Sequence, residues 1–272
     1  MLQFQHMSET EYVPQDIISP LSKELSDTKE YLVSPNLEAN LGKFNARISV
    51  QDPNELAETI TDNQDKSARF EFKAFEAHAS TKEDPCVVLE NMASYCSILV
   101  GVDKQGSVVS VHKNLIVDDN VNVNNDPNYI REALSKAGFL DSVSDTLGEE
   151  RMFFLTGTDF NVAGVDQRYR EWFLDQLEEV LGQPVDYLLL NTAEDQSGGT
   201  RVGRLMQRVK NVFQRTDRPT MRSLGDLVVV PESVSTTGKT ELVYPYVDNK
   251  NYFEYMVPFA NKMKEKLRYT GK

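Results

Sequence analysis

The stretch YCSILVGVDKQGSVVSVH, residues 95–112, constrains the fold most, because it contains two β-rich runs separated by a tight turn. The turn is Asp103-Lys104-Gln105-Gly106, and glycine readily adopts the left-handed conformation that closes such a turn. A type I turn with Gly106 left-handed gives a three-residue loop with a bulge, which makes Asp103 face Ser107 and Ile98 lie opposite His112. The sequence therefore predicts a β-hairpin of defined register.

The predicted register brings a thiol and an imidazole to one face of this hairpin. Cys96 stands two positions before Ile98 and becomes a diagonal neighbour of His112, at about 7–8 Å between Cα atoms. A reactive cysteine needs a base or cation within hydrogen-bond reach to form its thiolate. Cys96 and His112 are thus a candidate nucleophile and base. The other interpretation stays open, because a cysteine in an apolar strand also packs well in a core.

Strand-like runs and helical periods follow one another irregularly along the chain. Strands are predicted at Arg69–Phe75, Cys86–Leu89, Cys96–Val102, Ser107–His112, Met152–Thr156, Tyr187–Leu190, Asp226–Val230 and Glu241–Tyr246, with a hairpin joining the last two. Helices are predicted at Asp126–Phe139, Gln167–Leu181 and Asn251–Arg268, and Pro258 should break or kink the last of these. The pattern indicates an α+β fold, a mixed β-sheet sandwich flanked by helices.

Composition divides the chain into a polar N-terminal arm and a body. Residues 1–65 hold twelve Asp or Glu against four Lys or Arg and few β-rich runs, which is typical of a segment without its own core. We expect this acidic arm to be partly disordered or helical, for example at 17–32. An α/β catalytic-like core is expected over 66–250, and a C-terminal helix over 251–272.

The order of elements around the hairpin is similar to that of a known enzyme family. A Cys beginning an apolar strand, an Asp-containing turn with Gly, a second strand and a His sixteen residues after the Cys are followed by RMFFLTGTDFN and VDQRYREWFLDQLEEVLGQPVDYLLLNTAEDQSGGTRV. This succession resembles the core of the CheD-type chemoreceptor glutamine deamidases, and the necrotizing-factor toxins share the same dyad. The resemblance covers roughly residues 86–205. The family's small Gly-Ser pair before the nucleophile is Ser94-Tyr95 here, and its Thr six positions before the Cys is Glu90.

The resemblance implies a cysteine-dependent protein-glutamine deamidase, with a role as a toxin or effector as one form of it. Cys96 would attack a glutamine side-chain amide of a protein substrate, and His112 would move the proton. Such chemistry requires no metal or other cofactor. The alternative hypothesis is a non-enzymatic interaction or regulatory protein of the same fold, in which Cys96 only packs.

Charge narrows the range of partners. The formal net charge of -13 argues against a nucleic-acid binder and against binding to an anionic membrane surface. Residues 201–222 are basic, in contrast to the negative net charge of the whole chain. Their basic side chains include Arg201, Arg204, Arg208 and Arg215. One interpretation is an amphipathic helix with a solvated basic face. The other is a docking face for an acidic protein partner or for the acidic arm.

The remaining signals concern the cell compartment and metals. The N-terminus lacks a basic segment followed by an apolar core, and no run approaches the roughly 18 apolar residues of a membrane helix. We expect a soluble, cytoplasmic protein, with export without a classical signal peptide left open. Both cysteines, Cys86 and Cys96, are expected to be free thiols. His6 and His78 have no companions at metal-ligand spacing, so no metal site is expected, and both should be surface or hydrogen-bonded residues.

Overall fold

Two mixed β-sheets stack face to face at the centre of the protein. The computed structural model describes residues 31–60, 67–72, 75–90, 97–113, 128–158, 167–190, 226–245 and 252–269. Its strands are β1 (Tyr31–Val33), β2 (Ala46–Gln51), β3 (Arg69–Glu71), β4 (Ala77–Ser80), β5 (Cys86–Glu90), β6 (Ser97–Asp103), β7 (Val108–Lys113), β8 (Arg151–Thr158), β9 (Val185–Leu190), β10 (Leu227–Val230), β11 (Thr240–Pro245) and β12 (Arg268–Tyr269). Its α-helices are α1 (Leu37–Lys43), α2 (Pro53–Thr59), α3 (Tyr129–Lys136), α4 (Phe139–Thr146), α5 (Gln167–Leu181) and α6 (Tyr252–Lys266).

Each sheet contains six of the described strands. The first sheet has the order β1-β9-β8-β6-β7-β4, and the second sheet has the order β12-β3-β5-β10-β11-β2. In the first sheet β8 and β9 pair in parallel, and the other described neighbours are antiparallel. In the second sheet β12 with β3, β3 with β5, and β2 with β11 are parallel pairs. Both sheets are therefore mixed, as the sequence predicts.

Alternation along the strands builds four layers. Inward-facing aliphatic and aromatic side chains of both sheets form one buried core, which includes Val100 and Phe154 from the first sheet and Val88 and Leu242 from the second. The outer face of the first sheet is covered by α3, α4 and α5, and that of the second by α2 and α6. Burial on both faces explains why β5 and β6 contain almost uninterrupted apolar runs. The predicted α+β sandwich flanked by helices is confirmed.

The β6–β7 hairpin has the predicted register. Ile98 pairs with His112, and the Asp103 amide donates to the Ser107 carbonyl at 3.1 Å. Gly106 has a φ of 81°, the left-handed conformation that the bulged loop requires. The Asp103 carboxylate also accepts hydrogen bonds from the backbone N–H groups of Gln105, Ser107 and Gly148. These bonds fix the turn and, through it, the side-chain alternation of β7.

The N-terminal part of the chain differs from the prediction. Residues 31–60 belong to the sandwich and not to an arm, because β1 pairs with β9 in the first sheet and β2 pairs with β11 in the second. Leu41 and Ile48 are buried in the core between the sheets, and Leu56 of helix α2 is buried against the outer face of the second sheet. The boundary at residue 65 is therefore wrong. Pairing with strands that are distant in sequence orders this polar segment, although its composition alone does not predict strands.

Two further strand boundaries were not anticipated. The predicted strand Arg69–Phe75 ends at Glu71, and a separate strand, β4, follows at Ala77–Ser80. Alanine has weak strand propensity, so β4 carries little local signal. It forms because its backbone pairs with the edge of β7, where His78 lies opposite Ser110.

The helices show one full agreement and two corrections. Helix α5 has the predicted bounds, Gln167–Leu181. The predicted helix Asp126–Phe139 begins only at Tyr129, and Gly138, with a φ of 75°, separates it from a second helix. Helix α6 continues through Pro258, which lies on the exposed side, where water can solvate the carbonyl that loses its N–H partner. Within the described ranges no helix is both long and apolar enough to cross a bilayer.

Replacement of the turn carboxylate should destabilise the fold. We expect Asp103→Asn to lower the free energy of unfolding by about 2–3 kcal/mol, because an amide group turns donors toward N–H groups that need acceptors. Urea denaturation measures the change. The control is Asp145→Asn on the exposed face of α4, expected within about 0.5 kcal/mol of the wild type. Equal stabilities of the two variants would show that the turn does not depend on the carboxylate.

Candidate functional site

His112 lies near the end of β7 with its side chain between the two sheets. Its neighbours at alternate positions are Val108 and Ser110, whereas Val109 and Val111 face the helices on the outside. The residue is only 2% exposed. The β6–β7 register therefore places an imidazole at the end of a layer that is otherwise mostly aliphatic.

The His112 imidazole is neutral at physiological pH. Burial lowers its pKa to about 4, since the interior solvates the imidazolium poorly. Among the residues that the structure describes, neither Nδ1 nor Nε2 has a hydrogen-bond partner. A buried polar group without a partner is costly and calls for an explanation, of which a catalytic role is one. A neutral imidazole with free nitrogens is the form that accepts a proton from a thiol.

The described residues contain one half of the predicted dyad. Cys96 lies outside them, immediately before the start of β6 at Ser97, which pairs with Lys113. The described register keeps Ile98 opposite His112, as the proposed pairing with Cys96 requires. The contact between thiol and imidazole itself stays a prediction. The basic residues Arg201, Arg204, Arg208 and Arg215 also lie outside the described ranges.

Phe75 covers the His112 imidazole, a contact that no local sequence signal indicates. The two ring centroids are 5.5 Å apart and the planes are tilted by 33°. The Phe75 amide donates to the His112 carbonyl at 3.1 Å, and Phe75 itself has a φ of 70°. The Lys113 ammonium lies 5.6 Å from the centroid of the phenyl ring. Sequence reasoning assigned Phe75 to the end of a strand and missed it as a site residue.

Glu90 adds a buried carboxyl group at the end of β5. Its Oε1 accepts a hydrogen bond from Ser110 Oγ at 2.7 Å, whereas Oε2 has no partner in the described part of the chain. Burial raises the pKa of Glu90 to about 7, against smaller opposing effects of His78 and of the Ser110 hydrogen bond. The side chain is therefore partly protonated at neutral pH. Ser110 and His112 are two residues apart on β7. The Glu90 carboxyl group therefore contacts the same strand that carries His112.

A second polar group lies at the β3 and β4 edge of the sandwich. His78 Nδ1 is 2.6 Å from Glu71 Oε2, and Arg69 forms ion pairs with Glu71 and Asp84. His78 is thus hydrogen-bonded, as expected, but it is buried and not on the surface. Cys86 is fully buried nearby, and burial raises the pKa of its thiol. These features make Cys86 a packing residue and a useful contrast to Cys96.

The described side chains at this site include groups that can transfer protons. Over the described ranges, no three His, Cys, Asp or Glu side chains converge as candidate metal ligands. No protein-family model matches the chain, and no curated protein matches it in sequence. The described site contains a neutral imidazole and a hydroxyl group on β7, and a partly protonated carboxyl group on β5 of the opposite sheet.

Glu90 and His112 should give opposite dependences of stability on pH. The raised pKa of Glu90 means that its contribution is present below about 4.5 and is lost as the pH rises through about 7. The lowered pKa of His112 means that its contribution is present above about 6.5 and is lost as the pH falls through about 4. Between these limits the two effects nearly cancel in the wild type.

The Glu90→Gln variant should separate them, since glutamine resembles the protonated side chain and cannot ionise. Relative to the wild type, we expect its free energy of unfolding to rise by about 2 kcal/mol between pH 4.5 and pH 6.5. His112→Asn should show the reverse trend of similar size. Urea denaturation at both pH values measures each difference. Parallel pH curves for wild type and variants would contradict the assigned pKa values.

Proposed function

We propose that the chain is a cysteine-dependent protein-glutamine deamidase in which Cys96 is the nucleophile and His112 the general base. The observation that carries the proposal is the neutral His112 imidazole, whose two nitrogens have no hydrogen-bond partner within the described ranges. The imidazole belongs to β7. This strand pairs with β6, which begins directly after Cys96 in the sequence. The resemblance of residues 86–205 to the CheD-type deamidases supplies the reaction class. The roles of toxin or effector belong to the same proposal.

The reaction balances without a cofactor. Cys96 Sγ attacks the carboxamide carbon of a glutamine side chain while His112 takes the thiol proton. The tetrahedral intermediate collapses, its C–N bond breaks, and the proton passes from His112 to the leaving ammonia. Water then attacks the thioester, again with His112 as base, and the glutamate side chain leaves. The regenerated thiol completes the cycle.

The low pKa of His112 is compatible with a role as proton carrier. The value of about 4 belongs to the imidazole in a mostly apolar layer. A Cys96 thiolate beside the ring would stabilise the imidazolium by direct attraction, which is strong where water is excluded. Proton transfer from thiol to imidazole is thereby coupled to formation of the ion pair. The same interaction would hold the proton until ammonia leaves.

The second proposal is an interaction protein of the same fold. The observation that favours it is the 2% exposure of His112, because a substrate amide must reach a catalytic imidazole. In that case Cys96 packs in the core, and an acidic protein partner binds the basic residues of 201–222. The reactivity of the Cys96 thiol distinguishes the two proposals.

Thiol alkylation in the folded Cys86→Ser protein tests the enzyme, since Cys96 is then the remaining thiol. We expect reaction with iodoacetamide to follow an apparent pKa clearly below about 8.5, and His112→Ala to slow it at neutral pH by about tenfold or more. His78→Asn is the control, because His78 pairs with Glu71 and should leave the rate unchanged. Release of ammonia from glutamine-containing proteins then measures the reaction itself.

Alkylation of Cys96 that occurs only in urea, at the same rate with and without His112, would make it a packing residue. The search would then turn to partners of the basic residues, with salt-sensitive binding as the expected sign.

A further inference from the structure

Phe75 adopts a backbone conformation that bulky residues avoid. Its φ of 70° lies in the left-handed region, where the Cβ of an L-residue crowds the adjacent peptide. Such strain persists where surrounding contacts impose it. One of those contacts is the hydrogen bond from the Phe75 amide to the His112 carbonyl, at 3.1 Å. The strained residue is therefore attached directly to the candidate base.

Core packing does not account for Phe75. The residue is 49% exposed, while His112 beneath it is only 2% exposed. The phenyl ring contacts the imidazole at 5.5 Å between centroids. A strained aromatic residue thus leaves much of its apolar surface exposed to water while its ring packs on a polar ring. Its contribution is more easily explained by what it does to His112 than by burial of its own surface.

We propose that Phe75 is a positioning residue for His112, which fixes the backbone at the end of β7 through its amide and excludes water from the imidazole through its ring. The inference rests on the proposed function for its chemical purpose, because an unhydrated imidazole keeps its nitrogens free for a thiol proton. The charged and titratable groups described near the ring pair include Lys113, beside the phenyl group, Glu76, next to Phe75 in the chain, and Glu90, which contacts β7 through Ser110. Glu71 and His78 lie further along the same edge.

The test is an NMR titration of the full-length protein with labelled histidine, in which His112→Asn identifies the resonance among the three histidines. In the wild type we expect a His112 pKa of about 4. Phe75→Gly removes the ring and keeps the amide donor, and glycine accepts this φ without strain. It should raise the His112 pKa to above about 5, because water then solvates the imidazolium. Phe75→Tyr should restore the wild-type value.

Phe72→Ala is the matched control, since Phe72 is a phenylalanine of similar exposure, 42%, without a ring contact to His112 among the described residues. It should leave the titration unchanged. A wild-type pKa near 6.5, or equal values in Phe75→Gly and the wild type, would overturn the inference. Thermal unfolding of each variant verifies that the titration reports a folded protein.

The outcome is separable from that of the proposed function. A His112 pKa that moves with Phe75 in a protein without deamidase activity would support the positioning role and refute the enzyme. Deamidase activity together with a His112 pKa insensitive to Phe75 would support the enzyme and refute the positioning role.

Discussion

The register of the β6–β7 hairpin determines which side chains meet between the two sheets. A shift of one residue would turn Ile98, Val100 and His112 toward the outer helices and bring their neighbours inward. The Asp103 carboxylate prevents this shift by accepting hydrogen bonds from backbone amides of its own turn and from that of Gly148, three residues before the start of β8. The turn thus connects the hairpin to the next strand of the sheet. The position of the candidate base depends on this small hydrogen-bonded unit at the far end of the hairpin.

Polar groups between the sheets are confined and mostly paired. Thr156 and Tyr244 join the two sheets through their hydroxyl groups, 2.5 Å apart, and Ser110 joins β7 to Glu90 on β5. Among the described residues, His112 departs from this rule, as do one oxygen of Glu90 and the hydroxyl group of Thr240, which lies on the same face of β11 as Leu242 and Tyr244. Unpaired groups in a mostly satisfied layer are expected where function, and not stability, sets the residue type.

Local sequence patterns were enough to predict the elements whose turn, capping and periodicity signals all lie within the element or next to it. The hairpin has its turn residues and β-branched runs, and α5 has an apolar stripe ending at Gly182 with Pro184 beyond it. The strands β1, β2 and β4 lack such signals and form through partners distant in sequence. The same reason applies to the site. His112 and its register could be predicted. Phe75, however, contacts His112 through a backbone hydrogen bond from the segment before β4, and the buried pairing of Glu90 with Ser110 depends on the stacking of the sheets.

The placement of β1 and β2 in different sheets has a consequence for the order of folding. β1 pairs with β9 and β2 with β11, so the first described segments made by the ribosome find their partners only after residues 190 and 245 have followed. Contacts of such large sequence separation are slow to form, because long loops must close before any pairing is gained. Until then β1 and β2 lack these partners, and their unpaired backbone groups are open to other chains. We therefore expect the nascent protein to depend on completion of its C-terminal half, and chains that stop before β11 to be prone to aggregation.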